Sequence, residues 1–93
     1  DQKHNDKLLK HEQFHFNLSE VYARKLRKRF SEAHLNAGNI NTEANTIFKQ
    51  VYVEYLTRQE LYDAETNYGL DKGKQKEWQF NIRQELLSLR AFE

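Results

Sequence analysis

Proline, cysteine and methionine are absent from this chain of 93 residues, and glycine occurs only three times. Without proline, helices can run long without a kink. Without cysteine there is no disulfide framework, no thiolate metal site and no cysteine nucleophile. A dominant charge is also missing: 15 Lys and Arg face 14 Asp and Glu, leaving a formal net charge of +1. Dedicated nucleic-acid binders are usually lopsided, so nucleic acid is a disfavoured partner. Long apolar runs are lacking too. The longest apolar runs, Val21-Tyr22-Ala23 and Val51-Tyr52-Val53, are three residues, so no membrane insertion is expected, and no secretory leader pattern is read. The start at Asp1 and the lack of Met suggest a processed product or an excised fragment.

What is present is helical periodicity. A chain of this length is one domain, 1–93, able to build one compact core. Leu18, Val21, Tyr22, Leu26, Phe30 and Ala33 recur at steps that give one apolar face, predicting a helix over about 18–35. Asn17 and Glu20 are placed as its capping box, and residues 1–7 read as frayed. Residues 36–41, with Gly38 and three Asn, suit a loop needing left-handed backbone angles. A second helix over about 42–55 carries Ala44, Ile47, Phe48, Val51, Tyr52 and Tyr55. Thr57 and Glu60, flanked by Leu56 and Leu61, form another capping box and staple, so either a new helix starts there or one helix runs through it, ending in both cases at Gly69. Asp71 caps a final helix over about 71–92, with Trp78, Ile82, Leu86 and Leu89 as its stripe. No strand pattern competes. The expected fold is all-α, a small bundle on a central antiparallel pair.

Three features bear on function. His11-Glu12-Gln13-Phe14-His15 matches the HExxH pattern of zinc peptidases, where two histidines one helical turn apart bind zinc and the glutamate activates water. The extension of that motif is missing, since Leu18 and Val21 hold its glycine and histidine positions, and Glu32 is the only carboxylate at a sensible distance. The reading preferred from sequence is therefore two exposed histidines on a frayed helix, with no metal, no cofactor and no catalytic residue.

The second feature is Arg24-Lys25-Leu26-Arg27-Lys28-Arg29, five cations in six residues. Such a face can meet an acidic protein surface or phosphates, or can simply be solvated. The third is aromatic. Phe48, Tyr52, Tyr55, Tyr62 and Tyr68 read as core. Trp78 lies on a helix whose off-stripe Phe80, Leu87 and Phe92 either meet a partner or pack beneath the N-terminal segment.

The order of fragments over about 18–71 resembles a J-domain, the helical module of DnaJ-type co-chaperones. Ser19-Glu20-Val21, Arg24-Lys25-Leu26 and Phe30 are similar to its basic second helix. Glu43-Ala44 with Phe48-Lys49-Gln50-Val51 is similar to its third, and Leu61-Tyr62-Asp63 with Tyr68-Gly69-Leu70-Asp71 to its closing segment. The signature His-Pro-Asp tripeptide is reduced to His34-Leu35-Asn36. The resemblance implies a non-enzymatic protein-interaction module without chaperone-ATPase stimulation. Arg24, Lys25, Arg27, Lys28, Arg29, His34, Asn36 and Trp78 would meet a protein partner, with chaperone-related proteins among the candidates. A rival resemblance, carried by 56–61 with 63–65 or alternatively by Ala37-Gly38-Asn39-Ile40-Asn41, is to the helical hairpin tip of efflux and secretion adaptors, which implies self-association or assembly on a channel. Nucleic-acid binding through the basic helix is the third alternative.

Overall fold

The computed structural model describes residues 2–93, with His4 described by its backbone alone. Three helices follow one another: α1 (Gln2–Glu32), α2 (Ile40–Thr66) and α3 (Lys72–Ser88), with a short 3-10 turn at Arg90–Phe92. The chain is all-α, as its periodicity predicts, and no strand occurs among the described residues. At 1.5 Å per residue α1 is about 46 Å long, close to the 56 Å longest dimension of the molecule.

The contacts give the topology. His15 meets Gln59 and Asp63, Ser19 meets Tyr55, and Arg29 meets Glu54, so α2 runs antiparallel to α1. Gln75 lies beside His11 and Leu86 beside Arg24, so α3 runs parallel to α1 and fills the groove of the pair. The core is Phe14, Leu18, Val21 and Tyr22 from α1, Val51 and Tyr62 from α2, and Trp78, Ile82 and Leu89 from the C-terminal part. Full burial of a side chain such as Leu18 or Ile82 contributes about 1.5–3 kcal/mol each.

Helix boundaries differ from the sequence expectation in informative places. α1 is helical from Gln2 onward, where the sequence suggests fraying over 1–7 (Asp1 lies outside the described residues), and it does not restart at Asn17. Phe14 and His11 extend the stripe of Leu18 and Val21 backward at steps of four and three, and both are buried. Asn17 accepts a hydrogen bond from Gln13 at 2.9 Å, within the helix. Nor does a helix begin at Thr57. Its hydroxyl donates to the carbonyl of Val53 at 2.8 Å, one turn back, and α2 passes through it unbroken. Leu56 and Leu61 are both exposed, so the expected staple does not form. Packing of α2 along the whole of α1 overrides the local capping signal.

The Gly38 loop is closed by side chains instead of by left-handed backbone. Asn36 Oδ1 accepts from the amides of Gly38 (2.8 Å) and Asn39 (3.1 Å), and Asn39 Oδ1 accepts from the amide of Asn36 (2.8 Å). Left-handed angles occur at the other connection, over Asn67 (φ 49°), Tyr68 (φ 57°) and Gly69 (φ 90°). There α2 stops, and Asp71 starts α3 by accepting from the amide of Lys74 at 3.0 Å.

The aromatic series also divides. Tyr62 is fully buried and Tyr55 packs against the core, but Phe48, Tyr52 and Tyr68 are exposed, contrary to the expected core. Phe48 and Tyr52 stack on each other with centroids 6.0 Å apart, on the flank of α2 that turns away from α3. On the last segment Phe92 packs against the core while Phe80 and Leu87 remain in solvent. No helix of the described residues is long and apolar enough to cross a membrane.

Candidate metal centre

His11 and His15 stand one turn apart on α1 and so share a face. That face is turned inward. His11 is 1 % exposed, and its side chain lies in the stripe that continues through Phe14 and Leu18. The expectation of two exposed histidines is thus corrected: His11 occupies a core position, and His15 is partly covered with a side chain 21 % exposed. The carboxylate that meets them is Asp63 from α2, and the Glu32 considered from sequence lies at the far end of α1, about 25 Å along the helix from His15. Asp63 Oδ1 is 2.8 Å from His11 Nε2 and 2.5 Å from His15 Nε2. Glu12 is exposed on the neighbouring edge of α1. A ligand atom from each of His11, Glu12 and His15 lies within 4.8 Å of the others.

The rings are held by aromatic contact. His11 stacks on Tyr62 with centroids 4.4 Å apart and planes 15° from parallel. His15 meets Tyr62 edge-on at 4.7 Å and His11 at 4.9 Å. On the remaining side the turn at Gly69 presses against His11. A methyl group at Gly69 would stand 2.9 Å from His11 Cβ, so both the close approach and the φ of 90° demand glycine.

The outer hydrogen bonds fix which imidazole nitrogen carries the proton. Tyr62 has one hydroxyl proton, and it is donated to the carbonyl of His11 at 2.8 Å. Burial pushes the Tyr62 phenol up to about 12, outweighing the hydrogen bond from Gln75, so that proton stays in place. The Tyr62 oxygen therefore accepts from the amide NH₂ of Gln75 at 2.7 Å. That orients Gln75 with its Oε1 toward His11 Nδ1, 2.9 Å away, so Nδ1 is the donor. The same logic applies to His15. Gln59 directs its NH₂ at the carbonyl of His15 (3.3 Å) and at Ser19 Oγ (3.5 Å), leaving Gln59 Oε1 to accept from His15 Nδ1.

With both Nδ1 atoms protonated, each neutral ring offers an Nε2 lone pair, and both lone pairs aim at one oxygen of Asp63. In neutral rings all three atoms are acceptors, whereas a protonated ring donates from Nε2 and makes the same contact an ion pair with Asp63. Protons or a bound cation thus satisfy the same three atoms. Two imidazoles and a carboxylate, with the histidines oriented through their second nitrogen, form a donor set suited to zinc.

The other residues selected from sequence lie elsewhere. Arg24 donates to the carbonyl of Leu86 at 2.7 Å and pairs with Glu20 and Glu93. Lys25 sits 3.4 Å from Glu85 and over the Tyr22 ring, Arg27 donates to the carbonyl of Phe92, and Arg29 pairs with Glu54. Lys28 is exposed, as are His34 and Asn36 in the loop. Trp78 is buried, and its indole N–H donates to Glu65 at 2.8 Å. Sequence reasoning missed Asp63, Tyr62, Gln59 and Gln75. The one legible signal was the apolar stripe of α1, which, followed back from Leu18 through Phe14, reaches His11.

These features define a class: a three-helix bundle with a His-His-Asp cluster, buried at His11 and part-buried at His15 and Asp63, beside an exposed glutamate. The bacterial family of proteins of unknown function designated DUF922 matches residues 2–69, and the chain belongs to that family. The match spans α1 and α2 and contains His11, His15 and Asp63 of the cluster as well as Glu12. It overturns the J-domain resemblance, whose expected helix starts at 18 and 57 are absent as well. No curated protein and no solved structure gives a significant match.

Proposed function

We propose that this chain carries the metal centre of a zinc-dependent hydrolase acting on peptide or related amide bonds, with His11, His15 and Asp63 as ligands and Glu12 as general base. The observation that supports it most is the convergence of the two Nε2 atoms on one oxygen of Asp63 (2.8 and 2.5 Å), with both Nδ1 protons already engaged by glutamines. Zinc bonds of about 2.0–2.2 Å need the three donor atoms to separate to a little over 3 Å. Rotation of the Asp63 carboxyl or of the more open His15 supplies that change.

Three protein ligands leave a fourth position open, which is the hallmark of catalytic zinc. A metal there would polarise a substrate carbonyl and lower the pKa of a water. Glu12 is the group suited to take that water's proton, because it sits next to a ligand on α1 and faces solvent. The recess beside it is lined by Glu12, His15, Phe16, Ser19, Tyr55 and Gln59, so a substrate approaching Glu12 meets apolar and neutral polar side chains.

Zinc titration followed by calorimetry tests the reading. One equivalent should bind, with binding lost in His11→Ala, His15→Ala and Asp63→Ala and kept in Glu12→Gln. Hydrolysis of a peptide library, where present, should vanish in Glu12→Gln while zinc stays bound. A chain that takes up no zinc would reduce the cluster to a proton-sharing tie between α1 and α2.

A further inference from the structure

We propose that Gln75, carried by α3, is a positioning residue of this centre: it locks His11 as the Nδ1-protonated tautomer, so that Nε2 is presented to the metal. The inference rests on the metal-centre reading above and extends it to an element beyond the family match, which ends at Gly69.

Gln75 is buried, 7 % exposed, at a place on α3 where an apolar residue would ordinarily pack. Both ends of its amide are spent within the cluster, Oε1 on His11 Nδ1 and Nε2 on Tyr62 Oη. Tyr62 in turn is tied to the His11 carbonyl, so ring, phenol and amide form a closed loop of hydrogen bonds. With Tyr62 stacked on its face and Gly69 against its Cβ, the His11 ring has no freedom to flip and offer the other nitrogen. α3 thus supplies the histidine's partner as well as the packing of Trp78 and Ile82.

The second glutamine is the internal comparison. Gln59 makes the same contact with His15, but His15 is reached by solvent, and water can take the Nδ1 proton if Gln59 is lost. The His11 side chain is only 2 % exposed, and water cannot replace Gln75 there. The two positions should therefore differ in their effect on zinc affinity.

Zinc affinities of the wild-type chain and of Gln75→Leu, Gln75→Glu, Tyr62→Phe and Gln59→Leu, with helicity checked by circular dichroism, test this. Gln75→Leu should weaken zinc binding by about 10–100-fold, the usual cost of removing a histidine's outer partner. Gln75→Glu should restore affinity to the wild-type level or above it, because a carboxylate accepts the same proton more strongly. Tyr62→Phe keeps the ring and frees the amide, so it should fall between these. Gln59→Leu should cost less than Gln75→Leu. Equal weakening by Leu and Glu at position 75, or no change in either while zinc still binds, would overturn the inference and leave Gln75 as packing. Absence of zinc from the wild-type chain would instead remove the metal-centre reading, and this inference with it.

Discussion

α1 carries two concentrations of polar side chains, and they behave differently. Around His11 and His15, side chains from all three helices converge within hydrogen-bond distance, and the innermost are buried. Between Arg24 and Arg29, the cations splay outward to acceptors spread over the surface: Glu20, Leu86 and Glu93 for Arg24, Glu85 for Lys25, Phe92 and the shared Glu20 for Arg27, Glu54 for Arg29. The basic stretch is the more conspicuous in the sequence, yet much of its charge is used to hold the C-terminal segment and α2 onto α1. The histidine pair is quieter in composition, yet both of its Nε2 atoms converge on one oxygen of Asp63. Convergence of ligand-type atoms on one point marks a candidate site better than charge density does.

That contrast can be tested from its strong end to its weak end. The largest effect is expected at Asp63. Asp63→Ala should weaken zinc binding by more than about a hundredfold, beyond the loss expected for an outer partner, as read by competition with a zinc-sensitive dye. A charge-reversal at Arg27 or Lys28 should leave zinc affinity unchanged.

Next comes Gly69→Ala. A left-handed φ costs an alanine about 1–2 kcal/mol, and its methyl would also collide with His11 Cβ. Urea unfolding should show a loss of roughly 2–4 kcal/mol, in the range of strained or overpacked substitutions. Zinc affinity should fall with it, since the same contact holds the ring.

Within the basic stretch the two extremes should separate. Arg24→Ala removes a charged donor from a backbone carbonyl and should cost about 1.5–3 kcal/mol. Lys28→Ala, fully on the surface, should stay within about 0.5 kcal/mol of wild type. Equal small effects at both would mean that the stretch is a solvated face throughout.

The smallest effect is electrostatic. Burial alone would raise the Glu85 carboxyl, but the Arg58 guanidinium, with Lys25, outweighs it and holds Glu85 below its usual value of 4.5. A depressed native pKa means stability that is fully present above the unfolded value and lost as pH falls through the native one. Glu85→Gln should therefore flatten the decline in thermal stability below about pH 4.5 and leave the site's zinc affinity at neutral pH intact.

Much of the architecture was legible in the residues. The absence of proline and the three- and four-residue spacing of Leu18, Val21 and Tyr22, and of Trp78, Ile82, Leu86 and Leu89, specify helices with one buried face. Asp71 announces the start of α3, and Gly69 marks the turn before it. The local signals that misled, at Asn17 and Thr57, were capping residues whose side chains are satisfied inside a helix instead. Capping contributes about 1 kcal/mol, less than the packing lost by breaking α1 or α2 in mid-contact.

The site divides along the same line. Sequence alone put His11, Glu12 and His15 on one turn of helix, because their spacing is local and helical geometry does the rest. Only the tertiary structure decided that the pair faces inward, that Asp63 is its carboxylate and that Gln59 and Gln75 hold its protons. Those partners lie 44 to 64 residues away along the chain, and their register is set by how three apolar stripes pack, which no local pattern records.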